Sequence, residues 1–355
     1  MHLRYTLFLV GCAGLLVLAA GFFGRGLEPL YGDLTRIGWY SENDFGWHLP
    51  KERFAPLAAE LGRLDGRYDV VAIGDSFTGE DPHRSGTTWP NYLAQMTKAR
   101  VAIFDSDEDL IGRLIDSDAF RDHPPAVVVY EIVERQLVAK HRGAPDGACP
   151  TGQAPLAVTL SPPPVDRMMP VPTPFMRPMT RSWDELPVSY GLDYLWQNLR
   201  RWVTGVNTTS AVRLELTRGG MFSSRADRSL LVYGEDFNKL AWSEADWRGA
   251  ACALLRLQQR VQANGKTVFL AMVPPDKLTV YGPFLELAEF RGISRLDLLA
   301  ATPGLNLVDL MPVLDPTSQV DLYLPDDTHW STIGQALAAR TVLETLQQRG
   351  VFAGP

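Results

Sequence analysis

The sequence predicts an α/β fold: a three-layer sandwich with a parallel central sheet and a long insertion. Three observations lead there. Short apolar runs of strand length alternate with helix-length segments. The run Val70 to Ile73 is wholly apolar, and strand–helix alternation of this kind argues for a parallel sheet covered on both faces. The stretch from 137 to 245 is far longer than any crossover between neighbouring strands requires. We expect strands at Val70–Ile73, Arg100–Phe104, Ala126–Tyr130, Val268–Val273 and Leu305–Asp309. Helices are expected near Trp89–Lys98, Asp107–Ile115, Glu244–Asn264, Gly282–Phe290 and Thr332–Gln348. With 355 residues, 46% of them hydrophobic, the chain can bury one large core. A formal charge of −7 without a basic run argues against nucleic acid and tilts slightly toward a neutral rather than anionic polymer.

Taken in order, residues 1–25 are an anchor or signal segment. Leu7 to Phe23 is uncharged and apolar, flanked by Arg4 and Arg25. Ala19-Ala20-Gly21 is the nearest thing to a cleavage site, so an uncleaved signal-anchor is the preferred reading, with the domain outside the cytoplasmic membrane. Leu9-Val10-Gly11-Cys12 imitates a lipidation site, but the apolar run before Cys12 is too short and continues past it. Residues 26–67 form a juxtamembrane segment rich in aromatics, with a helix expected from Lys51 to Leu64. Residues 68–136 and 246–355 hold the sheet domain. Residues 137–245 are the insertion, proline-dense from Pro150 to Pro187 and amphipathic from Tyr190 to Val203; it reads as a lid or partner surface. Its aromatics Phe175, Trp183, Tyr190, Trp196 and Trp202 could serve either packing or contact with a glycan or partner. Cys149 and Cys252 could pair in an oxidising compartment, but nothing in their spacing shows proximity, and two unpaired thiols are the expectation. The six histidines lack metal-ligand spacing.

The chemistry sits at two ends of the chain. Val70 to Ile73 runs into Gly74-Asp75-Ser76, a sharp strand-to-helix turn that would lift the Ser76 hydroxyl from the sheet edge and set its N–H at a helix N-terminus. Far downstream, Pro325-Asp326-Asp327-Thr328-His329-Trp330 offers a carboxylate two or three residues before a histidine. Serine, histidine and aspartate are the parts of a proton relay, each beside the end of an expected element. Parallel sheets place their sites at the carboxyl ends of the strands, so both motifs should meet on one rim. A lone Gly-Asp-Ser is as consistent with a capping serine, and His329 with a surface histidine. Either Asp326 or Asp327 could orient the imidazole, which titrates near about 6.5 unperturbed.

These motifs resemble the SGNH (GDSL-type) hydrolases, whose nucleophile lies in a GDS turn and whose Asp and His lie in a late D-x-x-H loop. Asp326 and His329 fit that spacing. Asp327-Thr328-His329-Trp330 is similar to the D-x-H-W of the membrane-anchored polysaccharide O-acetylation group, the alginate and cellulose type. Thr35-Arg36-Ile37-Gly38, Glu42 to Trp47, Glu131 to Arg135 and Pro275 to Tyr281 also look like that group. The alginate-type order puts D-x-H before the serine; here the serine comes first. The G-x-N-D block that completes an SGNH oxyanion hole is missing. The Ser76 N–H, an amide near Asp105-Ser106, and Arg135 are the candidate substitutes, while Glu131, Glu134 and Arg135 could equally make a structural ion pair. Asp276-Lys277 lies on the same rim.

The resemblance implies an SGNH-like serine O-acyltransferase or acetylesterase acting on an exported polysaccharide. It implies an acyl-Ser76 intermediate, no cofactor or metal, and acetyl groups supplied by a multi-span membrane O-acyltransferase. The domain would face the periplasm from the inner membrane. The alternative is a non-catalytic module of the same fold that binds glycan or assembles a synthase complex.

Overall fold

The structure is a computed structural model and describes residues 2–27, 32–79, 87–105, 110–141, 149–150, 158, 169–176, 187–207 and 209–352. Strands are β1 (Lys51–Arg53), β2 (Ala59–Glu60), β3 (Val70–Gly74), β4 (Val101–Asp105), β5 (Val127–Glu131), β6 (Thr173–Phe175), β7 (Ala211–Glu215), β8 (Ser229–Tyr233), β9 (Val268–Met272) and β10 (Leu307–Val308). Helices are α1 (His2–Leu27), α2 (Asp33–Gly38), α3 (Glu42–Phe45), α4 (Trp89–Thr97), α5 (Leu110–Asp116), α6 (Asp118–Asp122), α7 (Glu134–His141), α8 (Val188–Thr204), α9 (Glu244–Gln262), α10 (Lys277–Tyr281), α11 (Leu296–Ala300) and α12 (Thr332–Gln348).

The central sheet has six strands in the order β10-β9-β5-β3-β4-β2, all paired in parallel. Its side chains alternate between two cores, as a period of two demands. Val70, Val127 and Leu270 join one core with Trp89 and Leu93 of α4 and Ala339 and Val342 of α12. Val71, Val128 and Phe269 join the other with Leu110 of α5, Leu137 of α7 and Trp247 and Leu254 of α9. This is the expected α/β three-layer architecture, helices on both faces of a parallel sheet. The chain leaves β3 toward β4 on one side and returns to β5 on the other. That reversal opens a crevice beyond the carboxyl end of β3, where ligands bind in open α/β sheets.

Several local expectations need correction. Lys51 to Leu64 is not a helix. Pro56 interrupts it, the Leu57 and Ala58 N–H groups donate to Asn91 Oδ1 at 2.7 and 2.8 Å, and Lys51 is drawn into a buried bond with Asp321 at 2.6 Å. β1 instead pairs with β6, and β2 adds an edge to the sheet. Gly282 to Phe290 holds two 3₁₀ turns, Gly282–Phe284 and Ala288–Phe290, because Pro283 cannot continue α10. Cys149 and Cys252 are joined by a disulfide, which ties the segment after α7 to α9. The antiparallel hairpin β7–β8 was not foreseen, although Leu214 and Leu216 alternate with polar residues and point into the core. Most of Pro150 to Pro187, including Trp183, lies outside the described residues.

Candidate active site

The turn after β3 is built around a glycine and a buried acid. A Cβ on Gly74 would overlap both Thr78 Oγ1 and Glu131 Oε2, so any larger residue would force these side chains to shift. Glu131, at the carboxyl end of β5, accepts from the Asp75 N–H at 2.9 Å and from Thr78 Oγ1 at 2.9 Å. Burial, reinforced by the nearby Asp75 charge, pushes its pKa well above the ordinary carboxyl range. Asp75 Oδ1 accepts the Phe77 N–H at 2.9 Å, and Asp75 O accepts from the Thr78 and Gly79 amides. Trp89 Nε1 donates to Thr78 Oγ1 at 3.1 Å and so locks the turn against α4. Ser76 is left at the apex, exposed to solvent.

The turn differs from expectation in one respect: no α-helix begins at Ser76 among the described residues, and the next one starts at Trp89. Among the described residues the Ser76 hydroxyl caps no helix. Its Oγ lies 2.7 Å from His329 Nε2. The Ser76 N–H carries no hydrogen bond within the described residues.

His329 comes from the loop ahead of α12, and that loop is held from three sides. Lys277 Nζ, fully buried, donates to the carbonyls of Leu324, Pro325 and Asp327 at 2.8, 2.9 and 3.1 Å. Burial pulls the Lys277 pKa down to about 8, against the opposing pull of Asp326, Asp327 and Asp33. The Leu34 and Thr35 amides of α2 donate to Asp326 O at 3.0 and 3.2 Å. The Phe77 ring packs on the imidazole with centroids 4.8 Å apart.

The two aspartates part company here. Asp327 Oδ1 sits 2.6 Å from His329 Nδ1 and 2.9 Å from the His329 N–H. A carboxylate in that position holds the proton on Nδ1 and leaves Nε2 as acceptor for the serine proton. The Asp326 carboxylate is turned away, against Gly32, where an added Cβ would strike it. A third acid, Asp33, escaped the sequence reading. Its Oδ2 is 3.7 Å from His329 Nδ1, its Oδ1 accepts the Thr328 N–H at 2.9 Å, and its own N–H donates to Asp327 Oδ2 at 3.3 Å. Its signal in the sequence was only its place two residues before Thr35-Arg36-Ile37-Gly38. The three side chains Asp33, Asp327 and His329 could in principle gather around a cation, but the 2.6 Å Asp327–His329 contact already occupies the imidazole face that would ligate one.

Of the remaining candidates, Ser106 lies outside the described residues. Arg135 does not pair with Glu131 or Glu134 as the ion-pair reading supposed. Its Nη1 bonds Asp276 Oδ1 at 3.1 Å and lies 3.8 Å from Asp236, while its guanidinium spans the rings of Tyr233 at 5.5 Å and Phe77 at 6.0 Å. Asp276 also pairs with Lys239, and Glu134 lies 3.5 Å from that same ammonium. Burial, followed by the Asp276 charge, raises Asp236 to about 8. Arg135 thus stands behind Phe77, held in a buried charge cluster, with its Nε facing no partner among the described residues.

Residues 230–354 match the family model of the SGNH hydrolase-like domain of the acetyltransferase AlgX, a span that contains Asp236, Asp276, Lys277, Asp327 and His329 but not Ser76. No curated protein and no solved structure matches the chain. Over residues 230–354, then, the chain is similar to the SGNH hydrolase-like domain of the acetyltransferase AlgX.

Proposed function

We propose that this protein is a Ser-His-Asp O-acetyltransferase or acetylesterase acting on an exported polysaccharide. The observation that carries the reading is the unbroken line Ser76 Oγ–His329 Nε2–Asp327 Oδ1, with links of 2.7 and 2.6 Å. Ser76 Oγ attacks the acetyl carbonyl carbon of a donor ester while its proton passes to His329 Nε2. The resulting oxyanion is received by the Ser76 N–H, and collapse expels the donor oxygen, which takes the proton from Nε2. The acetyl group is now an ester of Ser76. A sugar hydroxyl, or water, then gives its proton to Nε2 and attacks the same carbon. Release of Ser76 Oγ, with return of the proton, completes the cycle. Asp327 stabilises the imidazolium formed in both halves.

An exported acceptor requires an exported domain. Two features support that location: α1 is long and apolar enough to cross a membrane, and the Cys149–Cys252 disulfide belongs to an oxidising compartment such as the periplasm. The acetyl donor would then arrive through a multi-span membrane O-acyltransferase, and no diffusible cofactor is needed.

The reading is tested with a fluorophosphonate probe on the full chain in detergent. We expect labelling that Ser76→Ala and His329→Ala both abolish. Unlabelled wild-type protein that still binds polysaccharide would instead indicate a non-catalytic glycan-binding or assembly module.

A further inference from the structure

The helix α8 is built inside out. Its polar side faces the protein: Tyr190 packs on Trp39 with ring centroids 4.9 Å apart, Asn198 Nδ2 donates to Trp39 O at 3.1 Å, and Arg201 donates to Gly38 O while lying 4.3 Å above the Tyr40 ring. Its apolar side faces outward. Leu195, Trp196, Leu199, Trp202 and Val203 are 48, 61, 51, 82 and 67% exposed. At the helical period these positions, spaced three and four apart, make one stripe about 120° wide. An outward stripe of this size, with two tryptophans, marks a contact surface rather than scattered exposure.

What covers it is indicated by its neighbour. α8 begins against the end of α1, backbone to backbone: a Cβ on Gly191 would overlap Ala20 O, and one on Gly24 would press on Pro187 O. Only the last turns of α1, around Ala20, Gly21, Gly24 and Arg25, are buried in this way. The rest of α1 is the apolar stretch able to cross a membrane, and its side chains are exposed. The two glycine contacts run antiparallel, Pro187 against Gly24 and Gly191 against Ala20, so the stripe that follows Gly191 sets out beside the C-terminal end of the apolar run of α1. Asp193 and Arg200 on its polar edge prevent the helix from sinking into hydrocarbon. Tryptophans beside an arginine are the composition of a helix lying in the headgroup layer.

We propose that α8 lies in the membrane interface, with Leu195, Trp196, Leu199, Trp202 and Val203 turned into the acyl boundary, as a second attachment beside α1. This rests on reading α1 as a membrane span. Through α2 and Trp39, which α8 also holds, the two attachments fix how the Ser76–His329 rim faces the bilayer. The rim would then be presented at a set height instead of swivelling on one tether.

The test uses the full chain in phosphatidylethanolamine–phosphatidylglycerol vesicles, in a Cys12→Ala background that keeps the disulfide. An environment-sensitive dye is attached at Trp202→Cys, Leu199→Cys, Arg200→Cys or Leu15→Cys, with nitroxide lipids labelled near the headgroup or near the acyl end. We expect the dye at 199 and 202 to be quenched several-fold more by the shallow label than by the deep one, the dye at 200 to be quenched far less, and the dye at 15 to be quenched by the deep label. Quenching at 15 with none at 199 and 202 overturns the proposal while leaving the anchor in place, and points to a protein or glycan on the stripe. Shallow quenching at 199 and 202 without quenching at 15 supports α8 at the interface but refutes the span. Quenching at none of the three refutes both.

Discussion

Replacing Asp327 by Asn keeps the size of the side chain and removes its charge. Asp327 Oδ1 accepts from both His329 Nδ1 and the His329 N–H, at 2.6 and 2.9 Å. If the amide oxygen of Asn keeps those bonds, the imidazolium loses its counter-charge. If the amide turns, its NH₂ faces Nδ1 and drives the ring proton to Nε2, where it blocks transfer from Ser76. The serine-protease precedent for this change is about 10⁴-fold in kcat, or about 5–6 kcal/mol. Asp33 softens the loss here, because its carboxylate waits 3.7 Å from Nδ1. We therefore expect Asp327→Asn to lower turnover of a chromogenic acetyl ester by roughly 10³-fold, and Asp33→Asn/Asp327→Asn by the full ~10⁴. Asp326→Asn, whose side chain faces Gly32, should leave kcat within about threefold and act on thermal stability instead. An Asp327→Asn enzyme within tenfold of wild type, or a larger kcat loss in Asp326→Asn, would refute the assignment.

Further expectations follow from the surroundings of the relay. Gly74→Ala should reduce ester turnover by at least about tenfold, because the new methyl displaces Thr78 or Glu131 and moves the Ser76 turn; unchanged turnover would show that the turn tolerates the shift. Asp236 holds its proton to about pH 8 when folded and releases it near 4 when unfolded. Its contribution therefore makes stability fall as pH rises from about 4 to about 8, and Asp236→Asn should flatten that slope in denaturant titrations. Lys277 acts in the opposite direction: between its folded pKa of about 8 and its unfolded 10.5, losing the buried charge relieves a cost on the order of 3 kcal/mol. The neutral amine has two N–H groups for three carbonyls, so turnover should decline above about pH 8 even as that cost is relieved. Cys252→Ser opens a link between residues 103 apart and should lower unfolding free energy by roughly 2–5 kcal/mol.

The buried strands were legible because both of their faces are covered. Val70–Gly74, Val101–Asp105, Val127–Glu131 and Val268–Met272 lie within a residue or two of the runs that announced them. The β7–β8 hairpin was hidden because its two five-residue strands are separated by a long Gly- and Ser-containing loop, Leu216 to Arg228, that carries no short hairpin-turn signal. Ser76 and His329 were readable as short motifs. Asp327 could not be separated from Asp326 by spacing, since the choice depends on which carboxylate the loop turns inward, and that is set by Lys277 and α2 gripping the loop backbone. Asp33 was invisible for a related reason: nothing local to Gly32-Asp33-Leu34 reveals that it packs on a loop almost three hundred residues away. The disulfide likewise depends on a proximity that cysteine spacing does not encode.

The central claim is that an acyl group rests on Ser76. Rapid-quench mass spectrometry of the full chain mixed with an activated acetyl ester measures this directly. The account predicts one acetyl group on the peptide carrying Ser76 during turnover, absent from Ser76→Ala and from His329→Ala. Turnover of the ester with no acetyl on that peptide, or acetylation that persists at another residue in Ser76→Ala with full activity, would contradict it.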